Sequence, residues 1–137
     1  AYRLFDILNP VTHATDEQSA ETYRVEPYVV AADVYSEGDK AGRGGWTWYT
    51  GSAGWLLRAG VEGVLGIRRE GERLVVNPAL PSHWTGYSAT LRLGGMKVRL
   101  IVHRTTSGPS IRLDGRPVDK IRVDAVRDGS EVIVETV

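Results

Sequence analysis

The chain has 137 residues, enough for one domain or for a small domain joined to part of another. Lysine and arginine number 17, as do aspartate and glutamate, so the formal net charge is zero; this argues against a nucleic-acid or anionic-membrane surface built on bulk charge. A 42% hydrophobic, 25% charged chain without cysteine is an ordinary soluble composition that excludes disulfides and thiolate metal sites, and no apolar run approaches the roughly 20 residues that span a bilayer.

In chain order, Ala1-Tyr2-Arg3-Leu4-Phe5 enters an amphipathic pattern at once, with no leader-like region, as if cut from a longer chain. Tyr2, Leu4, Phe5, Ile7 and Leu8 predict a helix stopped by Asn9-Pro10. Thr15-Asp16-Glu17 reads as a helix start. Pro27 suits the first turn of a further, largely buried helix carrying Val29, Val30, Ala32, Val34 and Tyr35. Ser36 to Arg43 is a polar loop. Residues 51–67 form a third helical pattern, weakened by Gly54, Gly60 and Gly63, each costing up to about 1 kcal/mol against alanine.

The second half changes period. Arg73–Val76 is a short strand after Gly71-Glu72. Tyr87–Leu93, Gly94-Gly95 and Met96–His103 predict a hairpin, and Ser110–Leu113, Asp114-Gly115 and Val118–Val123 a second one. Glu131–Glu135 is a last strand. Short strands at even spacing suggest an antiparallel β-sandwich. The expected class is α+β, with a helical segment at 1–67 and a β-sandwich at 68–137.

The stretch from Gly42 to Trp55 holds the strongest functional signal. Glycines allow close backbone approach to a ligand, and Trp46, Trp48, Tyr49 and Trp55 offer flat faces with polar edges that suit sugar rings. Thr50-Gly51-Ser52 reads as a helix start with free N–H groups, suited to an anion. A bland reading exists, a capping threonine followed by small packing residues, but a cap does not call for Gly42-Arg43-Gly44-Gly45 beside it. Glu26 and Asp33 lie seven positions apart, on roughly one face of the expected second helix; they suit holding a sugar hydroxyl or an arginine better than acid–base catalysis. His13, His83 and His103 lack metal-ligand spacing, so no metal site is expected.

Three motifs carry a resemblance. Asn9-Pro10-Val11-Thr12-His13, Tyr23-Arg24-Val25-Glu26-Pro27-Tyr28-Val29-Val30-Ala31-Ala32-Asp33-Val34-Tyr35 and the Gly42–Trp55 stretch resemble glycoside hydrolase family 94. That family holds cellobiose and chitobiose phosphorylases and the carboxy-terminal region of cyclic β-1,2-glucan synthases, whose wording is most similar. The resemblance runs from Asn9 to Gly66 and continues more weakly to Tyr87.

It implies the last helices of an (α/α)6 barrel followed by a jelly-roll-like β-sandwich. It also implies inverting phosphorolysis of a β-glucosidic bond, in which an aspartic acid protonates the leaving oxygen and phosphate attacks. Thr50 and Gly51 match the family's phosphate-binding threonine–glycine pair, while Glu26, Arg43, Trp46 and Trp48 are candidate substrate-binding residues. No catalytic residue is expected within this chain, because the general acid and the other phosphate ligands fall upstream of it. No cofactor is expected. Inorganic phosphate is the co-substrate, and the partners are a β-glucan or other glucoside and the rest of a longer parent chain, with no nucleic acid. A barrel piece would expose an apolar face and self-associate. The segment itself reads as soluble and cytoplasmic, within an inner-membrane parent. A self-contained carbohydrate-binding or structural domain is the competing reading, separated by the length of the native chain.

Overall fold

A computed structural model describes residues 2–137. Residues up to Val64 form one unit and Leu65–Val137 another.

In the first unit, helix α1 (Tyr2–Leu8) ends at Asn9-Pro10, where the Asn9 side chain accepts the Val11 N–H at 3.2 Å. A 3-10 turn over Thr12–Ala14 follows. It carries His13, which stacks on Tyr23 with ring centroids 4.6 Å apart and whose Nε2 lies 2.6 Å from the Ile7 carbonyl. Helix α2 (Glu17–Tyr23) starts where Asp16 accepts the Ser19 backbone N–H at 2.9 Å and its hydroxyl at 2.8 Å. These bonds favour the carboxylate and hold the Asp16 pKa below its usual range. Arg24 closes the helix in the left-handed region at φ 54°, its N–H bonded to the Ala20 carbonyl. Tyr23 is buried, and burial raises the pKa of its hydroxyl.

The helix expected after Pro27 does not form. Residues 31–35 run extended beside 42–46. Ala32 N–H donates to the Trp46 carbonyl (2.7 Å), Gly45 N–H to Asp33 (2.9 Å), Tyr35 N–H to Arg43 (2.9 Å) and Gly42 N–H to Tyr35 (2.8 Å). A bridge pairs Val34 with Gly44. The backbone groups that a helix would have used are taken by this ladder, and the β-branched valines suit extended geometry. Val29 and Ala31 are nevertheless buried.

Helix α3 (Thr50–Arg58) is regular for nine residues, then Ala59–Val64 widen into a π-helical turn. Gly60 and Gly63 lie in that turn, where glycine's low helix propensity weakens the α pattern. The third helical pattern, expected over residues 51–67, therefore ends as α-helix at Arg58.

The second unit holds two sheets. Strands β1 (Ile67–Glu70), β2 (Arg73–Val76) and β7 (Ile121–Arg122) form a three-stranded antiparallel sheet with β2 central. The other is five-stranded in the order β3 (Gly86–Leu93), β4 (Met96–Arg104), β8 (Glu131–Thr136), β5 (Ser110–Leu113), β6 (Arg116–Pro117). Gly94 and Gly95 both take positive φ, 58° and 88°, as the two-residue hairpin turn between β3 and β4 requires. The sheet is mixed, correcting the all-antiparallel expectation: β8 runs parallel to β4, with Leu100 beside Val132 and Val102 beside Val134. The second hairpin turns at Asp114-Gly115, but it is closed by β6, just before the expected Val118–Val123; within that stretch Ile121 and Arg122 form β7, which pairs with β2 instead.

Alternation places the core. Val98, Leu100 and Val102 of β4 are fully buried between exposed Lys97, Arg99 and His103. Val132 and Val134 of β8 join them, with Leu74, Ile121 and Val126. Each such side chain contributes roughly 1.5–3 kcal/mol by burial. At the head of the unit, Gly66 at φ 69° accepts the Asn77 N–H at 2.9 Å, and a Cβ there would lie 2.0 Å from the Asn77 carbonyl oxygen. Tyr87 Oη donates to the Leu65 carbonyl at 2.6 Å, and burial pushes its pKa up to about 12.

Candidate functional site

The ladder between residues 31–35 and 42–46 delivers the chain to α3. Its closest approach is at Gly45, where any Cβ would lie 2.2 Å from Asp33 Oδ1. Only glycine lets the Asp33 carboxylate sit against the opposite strand. Trp46 then leaves the ladder with its ring in solvent.

Trp48 takes an uncommon backbone conformation. Its φ of 61° is left-handed, a region where a bulky aromatic costs of order 1–3 kcal/mol. Two contacts hold it there. Its indole Nε1–H donates to Glu26 Oε1 at 3.2 Å, and the Tyr28 ring meets it edge to face at 6.4 Å. The turn at Trp48 sets the direction in which α3 begins.

Tyr49 is the residue before α3, in extended conformation and with no side-chain capping bond. Thr50 is therefore the first helical residue and not the cap. Thr50 and Gly51 are exposed, and they come before the first position that an i−4 carbonyl can serve. Ser52 N–H is engaged, donating to the Tyr49 carbonyl at 3.0 Å, so the expectation that it joins the open N–H groups does not hold.

A cleft of about 260 Å³ opens beside this helix start, between Tyr28, Val29, Trp48, Tyr49, Thr50 and Ala53. Its walls are two phenols, an indole and aliphatic groups, with one threonine hydroxyl. No lining residue is charged, so the cleft can hold a ring against aromatic faces but offers no acid or base. A second, polar cleft of about 470 Å³ lies between α2 and the 38–43 loop, with Arg24, Lys40 and Arg43 facing Glu21 and Asp39.

The residues singled out in the sequence thus separate. Trp48 and Thr50 line the aromatic cleft, with Gly51 next in the helix. Glu26 reaches the cleft only through its bond to Trp48. Arg43 lines the polar cleft. Trp46 lines neither. Glu26 and Asp33 do not share a helix face, because that helix is absent. Sequence reasoning missed Tyr28 as a wall of the cleft; the signal was an aromatic directly after Pro27 in a run otherwise of small aliphatics.

The comparisons agree with this division of the chain. Residues 1–66 match the family model described as the glycosyl hydrolase 94 superfamily catalytic domain, and residues 67–120 match the glycosyl hydrolase family 65 C-terminal domain. Residues 1–66 are thus similar to a family 94 catalytic domain and residues 67–120 to a family 65 C-terminal domain.

Among individual proteins, it is 53% identical over 134 residues, 98% of this chain, to the cyclic β-(1,2)-glucan synthase NdvB of Rhizobium meliloti (strain 1021). It is 26% identical over 98% of its length to the N,N'-diacetylchitobiose phosphorylase of Vibrio furnissii, and 28% identical over the same share to that of Vibrio proteolyticus. The chain spans 4% of the synthase and 17% of each phosphorylase. No helix among the described residues is long and apolar enough to cross a membrane.

Proposed function

We propose that this chain is the carboxy-terminal segment of a family 94 module in a cyclic β-1,2-glucan synthase, and that it supplies part of a phosphate and sugar site. Residues 2–64 would be the closing helices of an (α/α)6 barrel, and the β unit a jelly-roll-like sandwich. Thr50 and Gly51 would bind inorganic phosphate at the start of α3, where helix N–H groups favour an anion. Glu26, Arg43, Trp46 and Trp48 would serve the glucan, directly or through one another. The general acid would come from another part of the parent protein, which would sit at a bacterial inner membrane. Exposed Trp46, Trp55 and Leu57 would make the excised chain self-associate.

The observation that carries the reading is similarity along 98% of the chain to one glucan synthase, combined with an exposed Thr50-Gly51 pair beside an aromatic cleft.

The test is Thr50→Ala in the full-length parent, with phosphate titrated against glucose 1-phosphate release. Loss of one bond to a charged group costs about 1.5–3 kcal/mol, so the phosphate KM rises roughly ten- to a hundredfold. Thr50 is not the capping residue, so the melting temperature stays close to that of the parent. A lowered melting temperature with the phosphate KM in place assigns Thr50 a structural role and overturns the reading.

A further inference from the structure

We infer that Glu26 is a positioning residue: its carboxylate fixes the Trp48 indole as one wall of the aromatic cleft, where that wall receives a pyranose ring. The inference rests on the reading of the chain as part of a glucan-acting module, and it assigns Glu26 a role distinct from direct contact with sugar.

Four observations converge. Trp48 sits at φ 61°, a conformation that an aromatic residue does not keep without support. The support is bipartite, an indole N–H donated to Glu26 Oε1 at 3.2 Å and an edge-to-face contact with Tyr28 at 6.4 Å. Trp48 and Tyr28 both line the cleft, whereas Glu26 does not. The cleft has no charged lining residue and its walls at Tyr28, Trp48 and Tyr49 are aromatic, which suits the apolar faces of a sugar ring. Glu26 therefore acts on the ligand through the ring it holds. With the bond gone, the indole can leave the left-handed turn, and the cleft loses its flat wall before substrate arrives. The loss is one of preorganisation and falls on substrate affinity.

The chemistry of the bond dictates the variants. Trp48→Phe keeps an aromatic ring and removes the N–H. Glu26→Ala removes the acceptor. Glu26→Gln removes the charge but keeps a carbonyl oxygen that accepts the indole N–H.

In the full-length parent, with a β-1,2-linked glucooligosaccharide as the probe and glucose 1-phosphate release as the readout, Glu26→Ala and Trp48→Phe each raise the oligosaccharide KM about three- to tenfold, with less effect on kcat. The double variant is no worse than the more severe single one, because both remove the same bond. Glu26→Gln recovers most of the lost affinity. A Gln variant as damaged as the Ala variant makes the charge itself the active feature and overturns the inference, as do additive singles or an unmoved KM. Should Glu26→Ala fail to fold, Trp48→Phe and Glu26→Gln decide the matter. A wild-type parent with no phosphate dependence removes the functional reading and this inference together. Normal phosphate dependence with an unmoved oligosaccharide KM removes this inference alone.

Discussion

The Ser130 hydroxyl donates to Asp114 Oδ2 at 3.0 Å, tying the turn between β5 and β6 to the start of β8. Asp114 is held at φ 49°, and its other carboxylate oxygen accepts the Glu131 N–H at 2.8 Å, while its own N–H donates to the Glu131 carbonyl at 2.9 Å. One side chain thus fastens a left-handed hairpin turn to the strand beside it.

Asp114→Ala removes both side-chain bonds and places a Cβ-bearing residue without local hydrogen bonding in the left-handed region. The position is exposed, so solvent recovers part of the loss, and the expected destabilisation is about 1–3 kcal/mol. Asp114→Asn keeps an acceptor and tolerates the same φ, and so costs less. Urea unfolding of the three proteins checks the order.

Tyr87 predicts a loss of stability in alkali. Its folded pKa of about 12 lies above the ordinary 10.0, because burial disfavours the phenolate. The neutral phenol's contribution is complete below pH 10 and disappears as pH rises towards 12, where the unfolded chain has already released the proton. The near-ultraviolet titration of the six tyrosines should show Tyr87 ionising late, in step with unfolding. Tyr87→Phe should flatten stability across that window while lowering it at neutral pH, since the bond to the Leu65 carbonyl is lost. Ionisation of every tyrosine by pH 11 in a folded chain would contradict this.

Gly66→Ala should be among the more damaging single methyl additions in the β unit. The new carbon would lie 2.0 Å from the Asn77 carbonyl oxygen and would occupy a positive φ. Backbone on both sides leaves no flexible side chain to yield, so a cost above about 2 kcal/mol is expected. Alanine at Gly71, which also has positive φ but meets nothing within 4 Å, is the control and should cost less.

The isolated 137-residue chain should release no glucose 1-phosphate from β-glucans. Its aromatic cleft has no charged lining group, and absence of a general acid or base alone costs roughly 10²–10⁴-fold. Release above background from purified chain would show that the acid lies within these residues.

Local chemistry was readable in the sequence wherever a residue type admits few conformations. Gly94-Gly95 marked its hairpin, Asp16 its helix start, and Asn9-Pro10 its helix end. Partner choice was not readable. Nothing in Glu131–Glu135 says that β8 lies between β4 and β5 or runs parallel to β4, because alternation encodes which face is buried and not which edge is paired. The Pro27–Tyr35 run was misread for a related reason. Its apolar residues fit a buried helix or an extended segment equally, and the ladder to 42–46 that decides between them is a long-range property. Strand β1 was missed because Arg68, Arg69 and Glu70 show no alternation. In the candidate site, the aromatic and glycine content was visible, but the left-handed turn at Trp48 and its bond to Glu26 depend on residues 22 positions apart.

The innermost strand of the large sheet comes last of its five strands in chain order. Until residues 131–136 leave the ribosome, the β3–β4 hairpin and the β5–β6 hairpin have no common neighbour, since β8 alone joins them. The inner edge of β4 then presents open N–H and C=O groups beside Val98, Leu100 and Val102, a surface able to pair with another nascent chain. Translation must therefore finish this unit before the sheet can close. A stop codon or ribosome stall a few codons short of Glu131 would leave two separate hairpins with an unsealed, adhesive edge.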